Sequence, residues 1–148
     1  RGPEGEPRSA LEGVPRSLPA LLRAQRLQVK AGRIGFDWPD WSGAWAKVRE
    51  EMLELDRAAA QGNAGQVREE LGDLLFSIVN AARLLDVDAE DCLRQAGEKF
   101  TRRFREVEAA MRATGRTVGE ASPEELDQAW EGVKSREPGR ETGSGSAP

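Results

Sequence analysis

The chain has 148 residues, 38% of them hydrophobic, 5% aromatic and 32% charged, with 22 Lys plus Arg against 26 Asp plus Glu and a formal net charge of −4. Histidine is absent, which removes the commonest general base and metal ligand and excludes zinc fingers, zincins, Ser-His-Asp triads and Glu-x-x-His di-iron bundles. No run of about 20 apolar residues could span a bilayer, the acidic balance argues against nucleic-acid binding, and a lone Cys92 fits a reducing, cytoplasmic compartment.

The chain begins with Arg1, so it reads as an excerpt or a processed product, and no apolar run near the start suggests a secretory signal. Residues 1–16 are expected as a flexible segment, 17–137 as one domain, and 138–148 as a disordered tail ending in Gly143-Ser144-Gly145-Ser146. No proline lies between Pro39 and Pro123, and Ala, Leu, Glu and Arg dominate there, a helix-forming composition. The first helix is expected over about 18–32, with Pro19 in its first turn and Leu18, Leu21, Leu22, Leu27 and Val29 as its apolar set. After the loop Gly35-Phe36-Asp37-Trp38-Pro39, a second helix takes Ser42 as its N-cap and stops at Gly62. Its apolar face is expected at Trp41, Trp45, Val48, Met52, Leu55 and Ala59. A third helix spans about 64–85. The fourth opens at Asp88 and ends near Gly115, with Leu93, Phe100, Val107 and Ala96, Phe104, Met111 in near-heptad positions. Ser122, Pro123 and Glu125 supply an N-cap, an N1 proline and an acidic N3 residue for a fifth. No segment alternates with period two, so the fold class is all-α: a bundle of about five helices.

At about 100° per residue, Glu50 points away from the apolar face of the second helix, while Glu51 lies on its flank with Glu54 beside it. Glu-Glu-x-x-Glu on a helix is common, and alone it reads as a solvated flank. The third helix changes that weighing. It is apolar nearly all round from Leu71 to Val87, so burial is expected, yet Glu70, Asp73, Ser77 and Asn80 form one polar stripe. A buried carboxylate needs a partner or a proton. One reading is a buried salt-bridge network. The other is a divalent metal held by Glu70 and Asp73, joined by Glu51 and Glu54 from an antiparallel neighbour. An all-oxygen donor set selects Mg²⁺, Mn²⁺ or Ca²⁺ over zinc or copper. Crowded carboxylates repel, so the metal and a phosphorylated ligand are expected to arrive together.

The fourth helix carries four cations in the seven residues from Lys99 to Arg105. Lys99 and Arg103 share one flank, a turn apart, while Arg102 and Arg105 point outward. The run reads either as a surface stripe or as the cationic side of a polyphosphate site. Trp130 and Lys134 are also a turn apart on the fifth helix, and Trp130 suits a core anchor as well as a base-stacking platform.

Lys47-Val48-Arg49-Glu50-Glu51-Met52-Leu53-Glu54, Glu69-Glu70-Leu71-Gly72-Asp73-Leu74-Leu75-Phe76, Asn80-Ala81-Ala82-Arg83 and Glu98-Lys99-Phe100-Thr101-Arg102-Arg103-Phe104 resemble the MazG nucleoside triphosphate pyrophosphohydrolases. The likeness covers roughly residues 11–136 and is greatest to the C-terminal, catalytic repeat of two-repeat members; the N-terminal repeat is missing. It implies Mg²⁺-dependent hydrolysis of a nucleoside triphosphate to the monophosphate and pyrophosphate, with relaxed base choice and Mn²⁺ as a substitute. Glu51, Glu54, Glu70 and Asp73 then fall on the family's metal ligands and catalytic group, and Lys99, Arg103, Trp130 and Lys134 on its triphosphate-binding residues. Asn80 is counted with the substrate contacts. A dUTPase-like narrow specificity and a non-catalytic helical interaction module are the alternatives. Because the third helix is more apolar than one chain of short helices can cover, a homodimer is expected, with further assembly open.

Overall fold

The computed structural model describes residues 8–138. Residues 1–7 of the expected flexible start and all of the expected tail except Pro138 lie outside the described residues. Among those described there are α-helices and one short 3₁₀ turn, with no strand. The helices are α1 (Ala20–Arg33), α2 (Trp41–Ala60), α3 (Ala64–Leu84), α4 (Ala89–Ala113) and α5 (Pro123–Ser135), and the turn (Val118–Glu120) precedes α5. The all-α expectation holds. Among the described residues, no helix is long and apolar enough to cross a membrane. The chain divides into two compact units between Leu93 and Arg94.

In the first unit α2 and α3 form a helical hairpin closed by Gln61, Gly62 and Asn63. Gly62 has φ +67°, a left-handed conformation that costs a residue with a Cβ. Its N–H donates to the Ala59 carbonyl at 3.1 Å, and the Asn63 N–H to that of Ala58 at 3.3 Å, the paired arrangement of a Schellman stop. Asn63 then caps α3, its Oδ1 accepting from the Gln66 N–H at 3.2 Å. The start of α2 differs from the sequence expectation. Asp40, not Ser42, is the N-cap, and its carboxylate accepts from the Ser42 N–H at 2.8 Å. Asp40 is extended, with φ −155° and ψ 177°, and a charged acceptor makes the stronger bond to a helix N-terminus.

The face that α2 buries is also different from the one expected. Ala44, Val48, Glu51 and Ala58 are buried, with Leu55 half-buried between them, whereas Trp41, Trp45 and Met52 are exposed. The reason is size. Ala44 and Val48 form the core with Ala81 of α3, and Leu74 and Leu84 pack against it. Small side chains let the helix axes approach, and ridges of large ones would hold them apart. α3 buries Ser77, Val79 and Ala81 but leaves Leu71, Leu75, Phe76 and Ile78 exposed. α1 packs on α3, and its one buried residue, Gln28, donates from Nε2 to the Phe76 carbonyl at 2.8 Å. The loop before α2 is pinned by Arg83, which forks onto Asp37 at 3.0 and 2.5 Å. Trp38 lies over Gly43 so closely that a Cβ there would meet its ring at 2.8 Å. Ahead of α1, the Glu12 carbonyl accepts from Lys30.

In the second unit Val107 of α4 and Val133 of α5 are buried. Phe100 stacks on Phe104 with centroids 6.0 Å apart and meets Trp130 at 5.4 Å. The expected capping box of α5 is present: the Glu125 N–H donates to Ser122 Oγ at 3.2 Å, and the Ser122 N–H to the Glu125 carboxylate at 2.7 Å. The same carboxylate is forked by Arg116 at 2.7 and 3.0 Å.

Candidate functional site

Glu51 is only 6% exposed, because it occupies the buried stripe of α2 between Val48 and Leu55. A charge so placed needs compensation. Lys47, one turn earlier, supplies it at 2.6 Å and also reaches Glu50 at 3.0 Å. These two carboxylates hold the Lys47 ammonium well above its ordinary pKa, the Glu51 bond contributing most.

α3 brings two more carboxylates to the same place. One oxygen each from Glu51, Glu70 and Asp73 lies within 4.8 Å of the others. Glu70 is half-buried and Asp73 exposed, so the expected deep burial of Asp73 is not observed. Along the expected stripe the exposure changes from Asp73, which reaches solvent, to Ser77, which is buried one turn later. The Glu70 carboxyl is pushed above its ordinary pKa, first by burial and then by the charges of Glu54, Glu51, Asp73 and Glu69. Three converging carboxylates with one lysine among them are under-neutralised. Their donors are all oxygen, and the crowding favours a bound cation.

Glu54 does not join that cluster. It is near enough to raise the pKa of Glu70, and its own carboxylate lies 3.8 Å from Arg57. Asn80 lies further along α3 in the same unit, its Oδ1 accepting from Arg83 at 3.0 and 2.7 Å.

The remaining expected residues are in the second unit. Arg103 lies 5.9 Å from the Trp130 ring centre and is forked onto Glu137 at 2.8 and 2.6 Å. Lys134 pairs with Glu131, and Lys99 is exposed. Trp130 is half-buried and meets the ring of Phe100. Three contacts escaped sequence reasoning: Lys47 on Glu51, Arg83 on Asp37, and Gln28 against Phe76. The first had a legible signal in its i,i+4 spacing. The other two join residues 46 and 48 positions apart and carry no local signal.

Residues 43–108, which include α2 from Gly43 onward, all of α3 and all four expected metal ligands, match the MazG nucleotide pyrophosphohydrolase domain. This chain carries a MazG domain. It is 45% identical over 131 residues to the nucleoside triphosphate pyrophosphohydrolase of Escherichia coli K12, covering 87% of this chain and 50% of that protein. Over 117 residues it is 44% identical to the nucleoside triphosphate pyrophosphohydrolase/pyrophosphatase MazG of Thermotoga maritima, covering 79% of this chain and 45% of that one. The chain thus spans about half the length of these curated relatives. Trp130 and Lys134 lie outside the residues matched to the MazG domain.

Proposed function

We propose that this chain is a Mg²⁺-dependent nucleoside triphosphate pyrophosphohydrolase that releases the monophosphate and pyrophosphate with relaxed choice of base. The observation that carries the reading is the cluster of Glu51, Glu70 and Asp73 on the hairpin of a MazG domain, its crowding registered in the raised pKa of Glu70. Its all-oxygen donors fit a hard divalent cation, Mg²⁺ or in its place Mn²⁺. Glu51, Glu70 and Asp73 would hold the ion, and Glu54, which lies outside their cluster in this structure, would have to turn from Arg57 to become a fourth ligand. When bound, such an ion polarises phosphoryl oxygens and lowers the pKa of a coordinated water.

The protein's own groups do the rest. Lys99, Arg103 and Lys134 are the cations for the phosphate chain, with Trp130 beside Arg103. Glu50, exposed and paired with Lys47, is left outside the chemistry. The functional domain is taken as 17–137. A cytoplasmic setting belongs to the same reading, since an exposed free Cys92 suits a reducing compartment. A homodimer is proposed from the apolar side chains that α2 and α3 leave exposed, Met52, Leu53, Leu71, Leu75 and Ile78 among them.

The deciding experiment is incubation with a mixed nucleoside triphosphate pool, with and without Mg²⁺, following pyrophosphate release. Release from several bases only with Mg²⁺ is the expected result. Hydrolysis of dUTP alone would narrow the specificity, and no release from any nucleotide would sink the proposal. Sedimentation of Leu75→Asp beside the unsubstituted chain checks the dimer. The charge on that face should leave the monomer folded and raise the dissociation constant at least about tenfold; an unchanged assembly would remove α3 from the interface.

A further inference from the structure

Among the described residues, Lys47 is the one cation within ion-pair distance of the three-carboxylate cluster, and its two partners differ in kind. Its ammonium lies 2.6 Å from Glu51, which belongs to the cluster and whose side chain is 8% exposed. The same nitrogen lies 3.0 Å from Glu50, which is outside the cluster and whose side chain is 58% exposed. Helical spacing sets up both contacts. Glu50 is three residues on and Glu51 four, so one flexible four-carbon stem reaches either. Letting go of Glu51 still leaves Lys47 a partner. A carboxylate as deeply placed as Glu51 is costly without a counter-charge, and in the metal-free chain Lys47 supplies it. A divalent cation on that carboxylate would set like charges a few ångströms apart, which is strongly unfavourable where water is partly excluded. The ammonium and the ion therefore compete for Glu51.

We propose that Lys47 is a displaceable resident cation, which holds Glu51 in the metal-free chain and withdraws to Glu50 when a divalent ion takes Glu51. This rests on the proposed metal reading of the cluster and adds what occupies Glu51 before the ion arrives. Glu50, which takes no part in the chemistry, thereby tunes metal affinity from outside the cluster. Lys47 and Glu50 are positioning residues, acting on the ion through Glu51. The arrangement keeps the buried carboxylate neutralised at all times, at the expense of a weaker grip on the metal.

The test uses Mn²⁺ alone, without nucleotide, its free form counted by electron paramagnetic resonance, with metal-free melting temperatures taken alongside. Lys47→Met keeps most of the stem and removes the charge. Its Kd for Mn²⁺ should fall at least about threefold, on the order of one partly exposed ion pair. Its metal-free melting temperature should fall as well, because Glu51 is left uncompensated. Lys47→Arg restores the charge and should return the Kd toward that of the unsubstituted chain. Glu50→Gln removes the place of withdrawal. It should weaken Mn²⁺ binding about threefold in the unsubstituted chain and have a much smaller effect in Lys47→Met. An unchanged Kd in Lys47→Met overturns the proposal, and so does a raised one, which would make Lys47 a residue that shapes Glu51 for the ion. An equal loss from Glu50→Gln in both backgrounds overturns the withdrawal and reduces Glu50 to a distant charge. Should Lys47→Met fail to fold, Lys47→Gln, neutral yet still a donor for Glu51, gives the same reading. If neither the unsubstituted chain nor the variants take up Mn²⁺, the metal reading fails and this proposal with it. Uptake at one common Kd sinks the proposal alone.

Discussion

Glu70 in the first unit and Glu125 in the second are both glutamates on helices, and their carboxyls move in opposite directions. Glu125 is forked by Arg116 and accepts the Ser122 N–H, and it falls to about 2. Glu70 is partly buried among Glu54, Glu51, Asp73 and Glu69 and rises. The second unit gives its carboxylates resident partners, Arg116 for Glu125 and Arg103 for Glu137. The first gathers three carboxylates about one lysine. Charges matched inside the chain serve the fold, whereas charges left in excess of one sign are set for something that comes from outside.

Removing one charge from each region tests that contrast most strongly. Asp73→Asn keeps the shape and relieves repulsion, so stability without metal should hold or rise. Stabilisation by Mg²⁺ should disappear and turnover should fall at least about 10²-fold, about 2.7 kcal/mol of transition-state stabilisation. Glu70→Gln should behave alike. Glu125→Gln should do the reverse, lowering the melting temperature while leaving the Mg²⁺ response intact. Thermal melts with and without Mg²⁺, beside a pyrophosphate-release assay, measure both. A strongly destabilised Asp73→Asn whose folded fraction turns over normally would erase the distinction.

Acid should separate the two units next. The folded pKa of Glu125 is depressed, so its contribution to stability is full above the ordinary value near 4.5 and is lost as pH falls toward about 2. Glu70 is raised, so its ionised form weighs against the folded state, and the penalty lifts as pH falls through its folded pKa above 4.5. In metal-free solution, backbone hydrogen exchange corrected for its intrinsic pH dependence should show α2 and α3 gaining protection on mild acidification. α5 should lose it only at lower pH. Parallel loss in both units would contradict the contrast.

A smaller effect is expected at Arg103. Glu137 holds its guanidinium and competes with any phosphate. Glu137→Gln should therefore lower KM for nucleoside triphosphates by a few-fold, on the order of the energy of one partly exposed ion pair, at some expense in melting temperature. A raised KM would mean that Glu137 orients Arg103 for the phosphate.

The helices were legible because their limits are local. Ser122, Pro123 and Glu125 announce α5 in four consecutive residues, and Gly62 ends α2 by its conformation. The meeting of carboxylates from α2 and α3 was legible too, since a short connection makes the helices antiparallel neighbours. Which face α2 buries was not. Counting apolar residues favours Trp41, Trp45 and Met52 beside Val48, whereas packing kept Val48 and selected Ala44 and Ala58 with it because two helices must come close. That rotation is why Glu51, expected on a flank, is instead buried. Asp73 went the other way, exposed where the apolar pattern of α3 pointed to burial. The bond from Gln28 to Phe76 depends on how α1 lies across α3, which neither helix encodes alone.

Asn63 ends one helix and begins the next, its N–H closing α2 and its side chain opening α3, so the corner has no slack. A residue inserted there would turn α3 by about 100° on its axis, sending Glu70 and Asp73 round to another side while every helix remained intact. The hairpin corner is in this sense a gauge for the metal cluster. It is a surface turn whose length is under a constraint that surface turns ordinarily escape.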